Sequence, residues 1–265
     1  MKNLLPYLCL IILFLSGCAG ENEWRFVVFG NSRPDGATEP QPHVFRKIIK
    51  NIENESPFLV INVGDIIWGS SDLACTKKQM REFYRVFNTL KIPKYIAVGE
   101  HEIAGSEENQ NYFKKKLGGL YKTFTHKNCR FIILNSEEIG SESKIAGKQF
   151  LWLERVLSTN KKKHVFVFAH RPLFAVETSE GACFDSYPQD GAKLVELFNR
   201  YGVRYFIAGH ERFYNRCENK GVIQYISGGA GAPLKVSEEN GGFHHYLIVK
   251  VKDGNVDIQI KKVVF

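Results

Sequence analysis

The sequence lacks the features that mark several classes of protein. Its six cysteines include no C-x-x-C pair, which excludes a structural zinc site of the zinc-finger kind. There is no internal repeat, no low-complexity stretch and no linker long enough to separate domains, so a solenoid, a fibrous protein and a disordered chain are excluded. Zinc-finger spacing and interleaved aromatic and basic residues are also missing, and nucleic acid is therefore not indicated as a partner.

The composition is that of an ordinary folded protein with a basic surface. The 265 residues are 44% apolar and 24% charged, which suits one large domain. Lys and Arg number 36 against 28 Asp and Glu, a formal net charge of +8. Such a charge favours anionic partners such as phosphate esters, nucleic acid or anionic lipid surfaces. It does not choose among them, and a basic but inert surface is the alternative.

The N-terminus has the pattern of an export signal. Lys2 precedes the apolar run Leu8–Phe14, which is too short to span a bilayer comfortably and is typical of a signal-peptide core. After this run comes Leu15-Ser16-Gly17-Cys18, which resembles the lipobox of bacterial lipoproteins, where the cysteine receives lipid. We predict a signal peptide over residues 1–17, a tether over residues 18–24 and lipid attachment at Cys18. The protein would be anchored to a membrane of the bacterial cell envelope, outside the cytoplasm; a plain secretory signal is the alternative.

Apolar periodicity predicts alternating strands and helices. A short apolar run that ends in glycine or a polar residue is typical of a buried strand, whereas apolar residues at intervals of three and four are typical of a helix. We predict strands at 25–29, 58–63, 94–98, 121–125, 130–134, 164–168, 203–208, 222–227, 245–251 and 256–263. Helices are predicted near 42–54, 76–90, 107–117, 147–157 and 192–201. The alternation indicates a largely parallel sheet with covered faces, and the strand-rich tail indicates a second sheet.

Five of the predicted strands run directly into a small polar cluster. The clusters are Gly30-Asn31-Ser32-Arg33, Gly64-Asp65-Ile66-Ile67-Trp68, Gly99-Glu100-His101-Glu102, Ala169-His170-Arg171-Pro172 and Gly209-His210-Glu211-Arg212. In open α/β sheets the carboxyl ends of the strands form the ligand crevice. We therefore expect the five clusters to meet at one place.

In order along the chain, these clusters resemble the five motifs of the calcineurin-like metallophosphoesterases, which include the purple acid phosphatases. The family motifs read approximately D-x-H or D-x-G, G-D-x-x-D/Y, G-N-H-E/D, a lone H, and G-H-x-H. The segments 147–153 and 227–233 also resemble this family. The resemblance covers residues 25–265 and implies one α/β domain there, a four-layer α-β-β-α sandwich of two mixed sheets.

The resemblance also implies a metal centre. In this family two metal ions share the aspartate of the second motif, which Asp65 matches. His170 and His210 match two ligands of the second metal, and Glu100 stands where that metal usually takes an asparagine oxygen. These four side chains offer nitrogen and oxygen ligands suited to zinc, manganese or iron. His101 matches a histidine that faces the substrate without binding metal and can protonate a leaving group.

The ligands of the first metal are largely replaced. Asn31 stands in place of an aspartate and offers only a weak amide oxygen, and Arg212 replaces the second histidine of the G-H-x-H motif. Arg33 stands where some relatives have histidine, and Trp68 where purple acid phosphatases have tyrosine. An arginine cannot ligate a cation, because its guanidinium stays charged, but it matches the geometry of phosphate. We therefore expect one metal ion, with Arg33 and Arg212 as catalytic groups beside the phosphate.

Two alternatives concern this replaced site. Asp35 is close enough in sequence to stand in for the lost aspartate, and Glu100 could pair with Arg212 in a metal-free ionic cluster. If the first position is vacant because its ligands are lost, the double change Asn31→Asp with Arg212→His should raise the metal content from about one ion to about two.

The sequence thus predicts an exported, metal-dependent phosphoesterase that acts on phosphate mono- or diesters. The alternative is a non-catalytic lipoprotein on a decayed phosphatase fold, which binds a phosphorylated ligand or serves as a scaffold. The remaining histidines, at 43, 126, 164, 244 and 245, are interpreted as structural, and the lysine run 161–163 as a solvated loop.

Four cysteines lie beyond Cys18, at positions 75, 129, 183 and 217. An oxidising compartment would allow disulfides, and the residues alone leave three pairings open, with buried free thiols as the alternative. We predict that Cys75 pairs with Cys183, because both lie in loops that follow the strands of the second and fourth motifs.

Overall fold

The protein is described by a computed structural model that covers residues 23–176, 183–252 and 254–265. The predicted signal peptide, the lipid attachment at Cys18 and most of the predicted tether lie outside the described residues. Within the described ranges, no helix is long and apolar enough to cross a membrane.

The described part of the chain forms eleven strands and six α-helices. The strands are β1 (Trp24–Phe29), β2 (Leu59–Asn62), β3 (Lys94–Ile96), β4 (Lys122–His126), β5 (Cys129–Ile133), β6 (His164–Phe168), β7 (Tyr205–Ala208), β8 (Tyr214–Asn219), β9 (Val222–Ser227), β10 (His245–Lys252) and β11 (Asn255–Lys262). The helices are α1 (His43–Glu55), α2 (Leu73–Phe87), α3 (Glu100–Ile103), α4 (Glu107–Leu117), α5 (Gly147–Ser158) and α6 (Pro188–Arg200).

The strands form two mixed sheets that pack face to face. The first has the order β11-β10-β1-β2-β3, and the second has the order β4-β5-β6-β7-β9-β8. Parallel pairing links β1, β2 and β3 in the first sheet and β5, β6, β7 and β9 in the second. Helices α1, α2 and α4 cover the outer face of the first sheet, and α5 and α6 cover the second. The four-layer α-β-β-α sandwich of two mixed sheets is therefore confirmed.

The second sheet that the strand-rich tail indicated is present, but the tail does not form it alone. Strands β8 and β9 join the second sheet, which already begins at β4, whereas β10 and β11 extend the first sheet beside β1. An apolar strand pattern reports burial but not the identity of the pairing strand. The local pattern of the tail was therefore compatible with either sheet.

Local polar groups explain where the elements differ from the sequence prediction. Helix α2 begins at Leu73, three residues before its predicted start, because the carboxylate of Asp72 accepts hydrogen bonds from the amides of Ala74 and Cys75. Helix α3 is a single turn, and β8 is a mostly polar strand at the margin of its sheet. Neither has the apolar periodicity from which an element can be predicted.

The core between the two sheets is rich in aromatic rings. Phe26 of β1 packs edge to face against Phe131 and Phe166 of the second sheet, with ring centroids 5.1 Å apart in both pairs. Phe29 points to the opposite face of β1 and packs beneath the helices, since successive side chains of a strand alternate. Both faces of β1 are thus buried, and polar residues begin where the strand leaves the core.

The parallel strands of both sheets begin at one border of the sandwich, called here the amino edge, and end at the opposite border, the carboxyl edge. The amino edge comprises the loops that precede β2, β3, β5, β6, β7 and β9, which are residues 56–58, 88–93, 127–128, 159–163, 201–204 and 220–221. The two sheets are aligned there, because the rings of Phe58 and His126, one beside each sheet, stack at 3.6 Å. The five polar clusters lie at the carboxyl edge.

No disulfide joins Cys75 to Cys183, although both lie among the described residues. Cys75 lies in the first turn of α2, over the first sheet, whereas Cys183 is buried beside the segment that leads into α6, over the second. The two residues therefore belong to opposite outer layers of the sandwich. The predicted pairing was wrong because loops that leave one edge can run to different faces.

Candidate metal centre

Side chains from five strand ends meet at the carboxyl edge. Asn31 follows β1, Asp65 follows β2 and Glu100 follows β3, all from the first sheet. His170 and His210 follow β6 and β7 of the second sheet. Contacts of 2.6 to 3.4 Å join the side chains of Asp65, His170 and Glu100 across the two sheets. The expected convergence is confirmed.

Glycines allow this close approach. Gly64 and Asp65 have φ angles of +98° and +57°, so β2 ends in a left-handed turn that favours glycine at its first position. A Cβ atom at Gly64 would lie 2.4 Å from Nδ1 of His170, and one at Gly99 would lie 2.3 Å from Oδ1 of Asp65. Both distances are below van der Waals contact, so a larger residue would push the metal-ligand candidates apart.

The buried carboxylate of Glu102 holds the turn in place. Its Oε2 accepts hydrogen bonds from the amides of Asp65 at 2.9 Å and Gly99 at 2.7 Å. Its Oε1 accepts from Ile66 at 2.9 Å and Ile67 at 3.3 Å. Burial raises the pKa of Glu102 to about 8, the charge of Asp65 adds to the rise, and the backbone donors oppose it. Glu102 is the last residue of the G-N-H-E/D motif, but its role could not be predicted from that position.

Glu100 lies between two histidines. Nε2 of His170 is 2.6 Å from Oε2 of Glu100 and 3.4 Å from Oδ1 of Asp65. Nδ1 of His210 is 3.0 Å from Oε1 of Glu100. Over the described ranges, two groups have ligand atoms within 4.8 Å of one another, namely Glu100 with His170 and His210, and Asp65 with Glu100 and His101. The four ligands predicted for the second metal therefore lie together.

The ring of His170 is oriented by the backbone. Its Nδ1 is 2.7 Å from the carbonyl oxygen of Val63, and because a carbonyl only accepts, Nδ1 carries a proton and Nε2 faces the carboxylates. Burial alone lowers the pKa of His170, but Asp65 and Glu100 outweigh it and raise the pKa to about 10. For the carboxyl of Glu100, burial alone raises the pKa, but the neighbouring His170 and His210 outweigh burial and hold the pKa well below its ordinary value.

These residues fit a metal ion at the second position. Nε2 of His170 is buried and has no hydrogen-bond partner of regular geometry among the described residues, although two carboxylates surround it. Imidazole nitrogens and carboxylate oxygens are ligands that zinc, manganese and iron accept. A bound cation would displace the proton of His170 and offset the negative charge of Glu100 and Asp65.

Asn31 turns its amide nitrogen toward Asp65. Nδ2 donates to Oδ2 of Asp65 and to the carbonyl oxygen of His210, both at 3.1 Å. Because both partners can only accept, the nitrogen must face them. Oδ1 points the other way, 2.9 and 3.0 Å from where Cβ atoms on Gly209 and Gly228 would lie. The weak metal ligand predicted at Asn31 is thus not present in this arrangement, in which the amide is a donor.

The guanidinium of Arg33 lies near Oδ2 of Asp65, the oxygen that Asn31 also contacts. Its Nε is 3.9 Å from Oδ2 of Asp65, and its Nη1 donates to the carbonyl oxygen of Pro34 at 3.1 Å. The guanidinium carbon Cζ lies 4.9 Å from the ring centre of Trp68. The residue is 5% exposed. Burial lowers the pKa of Arg33, Asp65 opposes this, and the charge of Arg212 lowers it further. A first metal would face these fixed positive charges, so the residues present do not fit it.

Two sequence alternatives can be compared with this geometry. Asp35 is exposed and belongs to neither group of candidate ligands among the described residues, so it does not replace the lost aspartate. Glu100 forms ion pairs with His170 and His210, and its pairing with Arg212 in a metal-free cluster stays a prediction.

His101 lies beside the cluster and reaches solvent. Its Nδ1 contacts the carbonyl oxygen of Trp68, and its Nε2 is 3.8 Å from Oδ2 of Asp65. The side chain is 24% exposed. A histidine that is fixed by the backbone through one nitrogen and accessible through its ring suits proton transfer to a leaving group.

Arg171, which follows His170 in the chain, belongs to a set of buried polar residues for which the sequence predicted no role. Arg171 donates from Nε and NH2 to the carboxylate of Glu137 at 2.8 to 3.0 Å. Gln149 makes two hydrogen bonds to the backbone of Asn135, at 2.8 and 2.9 Å. The sequence signals for this set were the position of Arg171 in the fourth polar cluster and that of Gln149 in the family-like segment 147–153.

The other histidines make packing contacts, in agreement with their predicted structural roles. His126 stacks on Phe58, and His164 is 2.8 Å from the carbonyl oxygen of Gly254. His245 is fully buried, and burial lowers its pKa to about 4. His43 and His244 have their rings within 6.5 Å of the ring of Phe265.

Comparison with known families agrees with this site. The family model of the calcineurin-like phosphoesterases matches residues 38–212, which is more than half of the chain. The protein belongs to the calcineurin-like phosphoesterase family. A similar protein is the tartrate-resistant acid phosphatase type 5 of Oryctolagus cuniculus, which is 23% identical over an alignment of 216 residues that covers 70% of this chain and 65% of that relative. The chain thus aligns with less than two thirds of the relative's length.

Solved structures share the fold at low sequence identity. A purple acid phosphatase from yellow lupin, Lupinus luteus, has a TM-score of 0.70 and 17% identity, over 91% of this chain and 51% of that one. A dimetal phosphatase from Danio rerio has a TM-score of 0.63 and 14% identity, over 91% and 99%. GAP50, described as the anchor in the inner membrane complex of Plasmodium, has a TM-score of 0.64 and 13% identity, over 91% and 84%.

Proposed function

We propose that this protein is an exported phosphoesterase that hydrolyses phosphate mono- or diesters with one bound metal ion. The observation that carries the proposal is the meeting of Asp65, Glu100, His170 and His210, from four separate strand ends, with short contacts between carboxylate oxygens and imidazole nitrogens. A metal held there would polarise a phosphoryl oxygen and lower the pKa of a bound water. Zinc, manganese and iron all suit these ligands.

The residues around this set have separate roles in the proposed reaction. Arg33 keeps a fixed positive charge beside Asp65, where the family's first metal would otherwise act. Arg212 is half-buried and acts electrostatically on Arg33, so it can present a second positive charge to the phosphoryl oxygens. His101 delivers a proton to the leaving oxygen from its exposed ring.

Hydrolysis can be tested with chromogenic phosphate mono- and diesters after incubation with manganese, zinc or iron. We expect turnover that depends on added metal and is abolished in His170→Asn, because that change removes an imidazole ligand. His164→Asn is the matched control, since His164 is the first residue of β6 and contacts Gly254 rather than the metal-ligand candidates. Equal activity in the two variants would contradict the proposed ligand set, and an inactive but metal-loaded parent would contradict the enzyme.

A non-catalytic role in binding a phosphorylated ligand is the second candidate. It is favoured by the way the charges are already satisfied: Asn31 donates to Asp65, and Glu100 is paired with two histidines. The fold also serves in a protein described as an anchor. Under this candidate, phosphate esters would bind without turnover in the presence of every metal tested, and Arg33→Gln would weaken their binding.

We further propose that Cys18 carries lipid and holds the domain at a membrane of the cell envelope. The apolar run and the lipobox-like residues before Cys18 support this. Cys18→Ala should release the protein from the membrane fraction or leave it unprocessed. Unchanged fractionation and unchanged labelling with a fatty-acid probe would contradict lipid attachment.

A further inference from the structure

The amino edge, on the side opposite to the candidate metal centre, concentrates positive charge. Its six loops contain no aspartate or glutamate, and their basic residues are Lys91, Lys127, Lys161, Lys162, Lys163, Arg204 and Lys220. All of these except Lys162 are exposed, and Lys162 donates to the carbonyl oxygen of Lys127 at 2.7 Å. Two carboxylates that flank this edge, Glu23 and Glu55, are both paired with Arg25. The seven charges therefore form a basic surface, and no carboxylate lies among the residues of these six loops.

The chain enters the domain at this same edge. Strand β1 starts at Trp24 and runs parallel to β2, and the ring of Trp24 is 4.6 Å from that of His126 at the amino edge. Trp24 is six positions after Cys18 in the sequence. A fully extended segment of this length reaches about 20 Å. A lipid on Cys18 would therefore keep the amino edge, rather than the carboxyl edge, next to the bilayer.

An exposed aromatic side chain lies within the basic surface. Phe58 is 45% exposed although it stacks on His126. Aromatic rings are favoured at the boundary between headgroups and acyl chains, and basic residues are attracted to anionic headgroups. Single-stranded nucleic acid is usually bound by several aromatic rings along a groove, whereas the loops of this edge expose one large aromatic side chain, apart from the half-buried Tyr201.

We propose that the amino edge is a docking surface for a membrane that contains anionic lipid. The proposal rests on the proposed lipid attachment at Cys18, but not on hydrolysis. Strand β1 has six residues, so the metal centre stands about 20 Å from the docking surface. That is beyond the screening length of about 8 Å at physiological salt. The bilayer charge would then orient the domain without repelling an anionic ester from the carboxyl edge.

The proposal is tested by co-sedimentation with lipid vesicles, using residues 19–265, which contain every described strand and helix. One set of vesicles is phosphatidylcholine, and the other contains roughly a third phosphatidylglycerol. We expect binding only to the anionic set. The triple change Lys161→Gln, Lys162→Gln and Lys163→Gln should lower that binding about a hundredfold, because each charge near the surface contributes about fivefold.

The matched control removes the same charge at the opposite edge. Lys114→Gln, Lys144→Gln and Lys148→Gln alter three lysines that line a cavity beside the start of α5, and should lower vesicle binding by no more than about threefold. Equal losses of vesicle binding in the two triple variants would overturn the proposal. Equal binding of the parent protein to vesicles with and without phosphatidylglycerol would overturn it as well. Binding to an oligonucleotide with none to anionic vesicles would overturn it in favour of nucleic acid.

Vesicle binding and hydrolysis are separable readouts. Asp65→Asn should abolish ester turnover yet bind anionic vesicles as the parent does, because Asp65 lies at the carboxyl edge. A parent that binds vesicles but turns over no ester would contradict the enzyme alone. A parent that hydrolyses esters but shows no preference for anionic vesicles would contradict the docking surface alone.

Discussion

Restoring the first metal position should require the removal of Arg33. The double change Asn31→Asp with Arg212→His, which the sequence suggests, leaves the Arg33 guanidinium against Asp65, with Nε 3.9 Å from Oδ2. A cation bound at Asp65 would face that charge at a distance on the order of 4 Å. At an effective dielectric of about 20, this costs about 4 kcal/mol per unit of metal charge, or about a thousandfold in affinity.

We therefore expect the double variant to keep about one ion per chain and the triple variant, which adds Arg33→His, to bind about two. The measurement is elemental analysis after equilibrium dialysis against manganese or zinc. Circular dichroism must show that each variant is folded, since Arg33→His also removes the contact with Trp68. Two ions in the double variant would refute the argument that Arg33 blocks the position.

Three further predictions concern the leaving group, the buried pair of Arg171 and Glu137, and the effect of pH. His101→Gln should lower kcat for alkyl phosphates by about 10²–10⁴-fold and less for 4-nitrophenyl esters, whose leaving group departs without a proton; equal losses in steady-state rates would contradict a general acid. Arg171→Met should lower the free energy of unfolding by about 3–5 kcal/mol, because Glu137 stays buried and unpaired, and the added change Glu137→Met should recover most of that loss in denaturant titrations. His245, with a folded pKa of about 4 below its unfolded value of 6.5, contributes stability above about pH 6.5 that is lost as the pH falls toward 4. Between pH 7 and 5 the parent should therefore lose about 2 kcal/mol more than His245→Asn, and parallel pH profiles would contradict this.

The strand ends and the convergence of the candidate ligands could be predicted because they depend on local pattern. Each of the five motif strands is an apolar run that stops at glycine or alanine, and parallel strands bring such ends to one edge. Asp65, Glu100, His170 and His210 follow from that rule and from the family resemblance. Their contacts agree with the prediction.

The first metal position shows what the sequence could not determine. An asparagine has both a donor and an acceptor, and only its neighbours decide which one faces Asp65. In the structure the carbonyl oxygen of His210 and the carboxylate of Asp65 select the donor. The stacking of Arg33 on Trp68 is likewise a contact between two strand ends that are far apart in sequence.

Buried supporting residues were missed for a similar reason. Glu102 follows His101 directly in the third motif. Its role depends on four backbone amides that donate to its carboxylate, and only the fold brings these amides to it. The pair of Arg171 and Glu137 joins two loops of the second sheet. Neither arrangement has a periodicity or spacing that could be found in the sequence alone.

The central claim is that this centre holds one metal ion, at Glu100, His170 and His210 with Asp65. Elemental analysis of the unmodified protein, after incubation with manganese, zinc or iron and removal of free metal, tests it most directly. The account predicts about one ion per chain, half the number of a two-metal site, and its loss in His170→Asn. Two tightly bound ions would contradict the exclusion of the first metal by Arg33, and no bound ion would contradict the metal-dependent enzyme and favour the metal-free binding protein.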